Sequence, residues 1–244
     1  MSEALAIPAT TFVLKGLIGA RLKTAWGNFN PSPVLTAPPP LIAASASGAV
    51  PPAEATSVIL FCHHAGPNAA WRNMYEPHID ASGKRIGKAP LVLDLHYMLA
   101  ATGDDLEREA AFGVAVAAFT RNAVIPRAMI SAILATVAVP PNPAKFIETL
   151  TAEPLGDKAS QPEQITLSQA QVDIDMSTKL WSALQSPLRP TAYFLATTVF
   201  LDPGDRFDAI PTVTRTDVGV RPDTLAAPVA ADDHLNWQDA GPGP

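Results

Sequence analysis

Leu91-Val92-Leu93-Asp94-Leu95-His96-Tyr97-Met98-Leu99 is the stretch on which the fold of this chain turns. With the two-residue repeat of a β-strand, Leu91, Leu93, Leu95, Tyr97 and Leu99 share one face, while Val92, Asp94, His96 and Met98 share the other. One face is wholly apolar and the opposite face is mixed, which predicts a strand at or near the centre of a sheet. Upstream, residues 57–64, Ser-Val-Ile-Leu-Phe-Cys-His-His, form a second apolar run. It lies between Thr56 and the turn signal Gly66-Pro67-Asn68 and is too short for a helix. Downstream, residues 191–201 are rich in β-branched and aromatic side chains and stop at Pro203-Gly204, the longest strand candidate. Shorter strands are expected at 34–36, where an edge strand fits, around Ile165 and Leu167, and weakly at 213–220.

Helical spacing fills the intervals. Val13, Leu14, Leu17, Ile18 and Leu22 repeat every three to four residues from Pro8, whose missing N–H costs nothing in a first turn, and Gly27 supplies the stop. Asp104 with Glu107 three residues later resembles a capping box and opens a helix that runs to about Arg121. Beyond Glu109 that helix carries one stripe of Phe112, Val116 and Phe119 and another of Leu106, Ala110, Gly113 and Ala117. It therefore requires cover on two sides, from this chain or from a neighbouring subunit. Pro126 opens a further helix through Ile130, Ile133, Leu134 and Val137, ended by Pro140-Pro141. Asp175 is expected to cap a short one carrying Leu180, Trp181 and Leu184. Strands and helices alternate irregularly, with loops longer than a βαβ unit uses. The expected fold is α/β, a mixed and largely antiparallel sheet flanked by helices, rather than a doubly wound nucleotide fold.

Composition narrows what such a domain can do. The chain has 244 residues, 48% apolar and 16% charged, with 25 prolines, seven of them in a loop over 31–56. This is enough apolar material for one large core, and too little charge for a coiled coil or a charge-rich disordered chain. The single cysteine, Cys62, excludes an internal disulfide and any multi-cysteine zinc site. No uninterrupted apolar stretch reaches the roughly 18 residues that a membrane span needs, and the 1–27 segment reads as a helix of the mature protein rather than a leader. The net charge of −6 is uneven: residues 202–244 hold eight Asp and three Arg with no Lys or Glu, which leaves −1 for residues 1–201. A near-neutral body without a Lys/Arg stripe favours self-association over nucleic-acid binding. Two segments are expected, a folded domain over 1–202 and an acidic, proline-rich extension over 203–244, with the composition of an extended or disordered tail over 221–244.

Motifs for catalysis are sparse. Cys62, His63 and His64, with His78 and His96, are the one cluster with residue types for metal ligation or nucleophilic chemistry. On a strand, Cys62 and His64 would share a face and His63 would point away, so no metal site is expected. Asp94 and His96 have the spacing by which a carboxylate orients an imidazole, yet no G-x-S-x-G elbow is present. The glycine-rich phosphate loops and H-E-x-x-H are also missing, and no cofactor is expected. Asn68, Trp71, Arg72 and Asn73 follow the first long strand and form either a clasp over the core edge or a contact hot spot for another protein. Leu235 and Trp237 stand out as apolar within the acidic tail.

Taken together, the run from Val58 to Asn73, the 91–99 strand, and Leu180-Trp181 followed by Arg189-Pro190-Thr191-Ala192-Tyr193 resemble a known family. It is the N-terminal domain of the tail-terminator, or cap, proteins of phage-tail-like extracellular contractile injection systems, of the virulence-cassette and antifeeding-prophage type. His64, Pro67, Asn68, Arg72 and Asn73 fall on its first motif, and Leu93, Asp94, Leu95, His96 and Tyr97 on its second. His63 stands where the family usually has Tyr, Trp71 where it has an aliphatic residue, and Thr191 where it has Ser. The resemblance covers roughly residues 8–202. It implies a tail-terminator-like fold and a structural, non-enzymatic role: a homohexameric ring that ends inner-tube and sheath polymerisation and holds the extended sheath to the tube. It also implies assembly in the cytoplasm as part of a contractile particle, with tube and sheath proteins as partners and neither nucleic acid nor a membrane span. Asn68, Trp71, Arg72, Asn73, Leu235 and Trp237 are the interface candidates. The alternatives are a baseplate or adaptor component of the same particle and, in a different class, a small hydrolase using Cys62 or Asp94–His96.

Overall fold

In a computed structural model, which describes residues 5–27, 33–41, 54–71, 90–151, 153–158 and 161–201, six strands form one sheet. They are β1 (Val34–Leu35), β2 (Ser57–Pro67), β3 (Leu91–Thr102), β4 (Val124–Ile125), β5 (Ile165–Ala170) and β6 (Thr191–Leu201), in the order β1-β2-β3-β6-β5-β4. Every pairing is antiparallel except β1 with β2. The 91–99 stretch is thus central, as its two-sided pattern requires. At 12 residues β3 is longer than the 11-residue β6, which corrects the expectation that β6 would be the longest strand. The expected strand at 213–220, the boundary at 202/203 and the tail lie outside the described residues.

Alternation along β3 separates two cores. Leu93, Leu95, Tyr97 and Leu99 join Leu60, Phe194 and Val199 in the larger one, under α1 (Ala6–Trp26), α2 (Asp105–Arg121) and α3 (Arg127–Leu134). Met98 and Ala100, on the other face, meet Ile59, Tyr193 and Trp181 of α5 (Ile174–Ala183). A short α4 (Glu153–Gly156) packs on α1 and α3. Each fully buried Leu, Ile or Phe contributes about 1.5–3 kcal/mol, so this double burial makes β3 the backbone of the fold.

Local contacts explain the element boundaries. In α1 the buried positions Ala9, Thr10, Val13, Leu14, Leu17, Ile18 and Leu22 trace one stripe, and the helix stops at Gly27, whose N–H donates to the Lys23 carbonyl at 3.2 Å. Gly16 lets α3 approach, because a Cβ there would lie 2.6 Å from Ile133 Cγ2. Gly103 turns the chain from β3 into α2 at φ 120, with Thr56 within 2.4 Å of where a Cβ would stand.

Two expected caps are replaced. Asp104 is the N-cap of α2 but makes no side-chain cap bond, and Glu107, rather than completing a capping box, accepts a 3.0 Å hydrogen bond from Trp26 Nε1 and ties the two helices together. Asp173, not Asp175, is the N-cap of α5, and Asp175 sits in the first turn, 3.6 Å from Lys179 across an exposed i,i+4 pair. Helix α2 buries Ala111, Ala115, Ala118 and Phe119, the last edge-on to Phe194 at 4.9 Å. Its second stripe gains no full cover among the described residues: Leu106 is 68% exposed, and Ala110 and Gly113 are exposed beside it.

Candidate functional site

The two sequence motifs meet where the end of β2 runs beside the start of β3. Cys62 pairs with Tyr97 and His64 with His96, so the register shifts across His63, the extra residue of a β-bulge. This overturns the simple alternation expected for the strand. Cys62 packs on the helix-covered core, while His64 and the displaced His63 both emerge on the opposite face. The His63 ring lies 6.1 Å from His96 and 5.9 Å from Tyr193, edge-on to the latter, and His64 lies 5.1 Å from His96.

Burial and neighbouring rings disfavour the charged forms of His63 and His96. Burial holds His63 below the ordinary 6.5, aided by His96 and His64. Burial also lowers His96, helped by His64 and opposed by the Asp94 carboxylate. Among the described residues no group of three or more His, Cys, Asp or Glu side chains is arranged to hold a metal ion. Burial pushes the Cys62 thiol up, away from the reactive thiolate, and its Sγ is directed at the His64 carbonyl at 3.8 Å. On the same side of the sheet as Cys62, Tyr97 is fully buried. Its hydroxyl shares a 2.9 Å hydrogen bond with Thr11 of α1, and burial raises its pKa well above the usual phenol value. Cys62 and the Asp94–His96 pair therefore sit on opposite faces of the sheet and do not form one catalytic constellation.

Asp94 is engaged elsewhere. It lies at a second irregularity, between Leu93 and Leu95 in the pairing with β6, and its Oδ1 accepts a 2.7 Å hydrogen bond from Asn68 Nδ2. Asn68 is 8% exposed; its Oδ1 accepts from the Trp71 backbone N–H at 3.0 Å, and its own N–H donates to the Val92 carbonyl at 2.9 Å. Trp71 then packs edge-on against Phe200 of β6 at 5.3 Å. Asn68 and Trp71 thus form a clasp that locks the exit of β2 to β3 and β6, one of the two roles open to them from sequence. Arg72, Asn73, His78, Leu235 and Trp237 lie outside the described residues.

Other surfaces escape the sequence motifs. A groove of about 670 Å³ opens between α5 and the β5–β6 ends, walled by Tyr193, Ser177, Val172 and Ile174, with Ile174 79% exposed. Ser177 and Tyr193 share a 2.8 Å hydrogen bond at its base. A smaller cavity of about 360 Å³ lies between α1 and β2, beside the exposed Phe146 and Ile147. Both edge strands are two residues long, so from Leu60 onward the outer edge of β2 has no partner strand among the described residues. Gln161, unmarked by any motif, is buried and replaces a strand neighbour along β6. Its amide donates to the Glu163 and Thr198 carbonyls and accepts from the Phe200 N–H at 3.0 Å.

Residues 9–215 match the family model described as the Pvc16 N-terminal domain. No curated protein matches the chain. Among solved structures, similarity is found to the PVC sheath/tube terminator of an extracellular contractile injection system in its extended state. The TM-score is 0.47 and the identity 13%, over 88% of this chain and 64% of that one. It is also found to the anti-feeding prophage tube-terminating cap, with TM-score 0.44 and 12% identity over 87% of this chain and 62% of that one. The chain thus spans less than two thirds of the length of either structure.

Proposed function

The chain belongs to the Pvc16 N-terminal domain family, and from that premise we propose that it is the structural cap of a phage-tail-like contractile injection system. In this reading six copies close into a ring on the far end of the particle. The ring stops growth of the inner tube and sheath and holds the extended sheath to the tube. Closed cyclic symmetry gives such an assembly a defined size. The folded domain over 1–202 builds the ring, and the acidic extension over 203–244 supplies a contact to a neighbouring subunit or the sheath. Trp71, Arg72 and Asn73, and Leu235 and Trp237 in the extension, are the proposed contact residues, with Asn68 contributing by holding the Trp71 backbone in place. The chain performs no reaction.

The observation that carries the reading is the family match over residues 9–215, which spans all three sequence motifs. It is supported by the nearly neutral body and by the exposed apolar stripe of α2 at Leu106, while the packing of Cys62 on the core and the hydrogen bond that engages Asp94 with Asn68 disfavour a hydrolase built on either. The test is to produce particles with and without the gene and measure their lengths. Capped particles have a narrow length distribution, and particles lacking this chain run to variable lengths. Density for the chain at the baseplate end would instead assign it to the baseplate or an adaptor.

A further inference from the structure

The cavity between α1 and β2 is lined by Ile7, Phe12 and Lys15 of α1, Phe61 and Cys62 of β2, and Ile147, with a volume of about 360 Å³. Beside it Phe146 is 56% exposed and Ile147 45%. Large apolar side chains left open around a cavity mark a contact surface. Lys15, exposed at the mouth, is the one charged residue among the described lining residues.

Residues 222–244 have the complementary chemistry. They hold Asp223, Asp232, Asp233 and Asp239 with no Lys or Arg, and Trp237 is their one aromatic residue, two positions from Leu235. Trp is the residue most suited to anchor in a desolvated pocket, and a lysine at the rim favours aspartates beside the anchor. Resting on the ring reading above, we propose that Leu235 and Trp237 of one copy occupy this cavity on a neighbouring copy, with the flanking aspartates set against Lys15.

Chain length lets the segment reach a neighbouring copy in the ring. Strand β6 ends at Leu201, opposite Leu91, two strands from β2 and six residues along β3 from Tyr97, the partner of Cys62, a path of about 10 Å across and about 20 Å along the sheet at ordinary strand spacing. The residues between Leu201 and Trp237 extend to roughly 120 Å. That span holds Pro203, Pro211, Pro222 and Pro228, and its full reach exceeds what its own subunit requires.

Cys62 is the sole cysteine and lines the cavity, so Asn236→Cys places one new thiol between the two anchors while leaving both intact. The assembled full-length chain is treated with a short bismaleimide and read on a denaturing gel. The expected result is a ladder of two or more linked copies, lost when Cys62→Ser or Trp237→Ala is added. Lys15→Glu slows linking about fivefold, the most that a surface charge pair is worth, and Asp232→Lys with Asp233→Lys restores it. Melting temperatures of the variants report folding. A linked single chain, or no linkage while light scattering still reports a ring, overturns the docking and leaves the ring reading intact. A monomer at high concentration overturns the ring reading and the docking with it.

Discussion

Replacing Asn68 by Ala tests the clasp that joins the two sequence motifs. The side chain donates a 2.7 Å hydrogen bond to the Asp94 carboxylate and accepts a 3.0 Å bond from the Trp71 N–H, at a position 8% exposed. A hydrogen bond to a charged group is worth about 1.5–3 kcal/mol and a neutral one about 1, so losing both costs about 3 kcal/mol. In a domain of this size that lowers Tm by about 6–12 °C, measurable by differential scanning calorimetry with a urea titration to check that the slope is unchanged. Asn68→Asp should be worse than Asn68→Ala, because it sets a second carboxylate against Asp94, and adding Asp94→Asn should recover much of the loss. A drop under about 2 °C for Asn68→Ala, or strict additivity of Asn68→Asp with Asp94→Asn, would refute the clasp.

Three further outcomes follow from the same structure. Because His63 and His96 titrate below the ordinary 6.5 in the fold, the unfolded chain takes up protons first; stability falls as pH drops through about 6.5, and His63→Gln with His96→Gln reduces that fall in thermal melts from pH 7.5 to 5. Gln161→Ala removes the surrogate strand partner of β6, which should cost about 2–3 kcal/mol and speed hydrogen exchange at the Phe200 amide. Tyr97→Phe should cost only about 1 kcal/mol in a urea titration, since Thr11 keeps its bond to the Ile7 carbonyl, while Tyr97→Ala should cost about 3–5 kcal/mol by opening a cavity.

Long periodic segments were legible from sequence because burial repeats along them. The stripe from Val13 to Leu22 marked α1, alternation marked β3, and the β-branched run 191–201 coincides with β6. Features set by a distant partner were not. The bulge at His63 depends on how β2 meets β3, and no local signal separates it from plain alternation. Glu107 has the spacing of a capping-box residue, yet Trp26 competes for its carboxylate from a helix 81 residues away in sequence. Strand β4 has only two residues, too few for a period, and exists because Ile165 and Thr166 pair with it. Gln161 gave no warning, since a lone glutamine signals nothing until the β6 backbone beside it is known. At the candidate site the sequence supplied Asn68, Trp71, Asp94 and His96. The structure added that Asn68 binds Asp94, that Trp71 packs on Phe200, and that Cys62 faces the other way.

The central claim is that this chain works by shape at the end of a cylindrical polymer, and cryo-electron microscopy of intact particles tests it most directly. The account predicts density for six copies of the six-stranded fold closing the terminus opposite the baseplate, and particles of uncontrolled length when the gene is deleted. Particles of normal, defined length without the chain, with no density for it at that terminus in the wild type, would contradict the account.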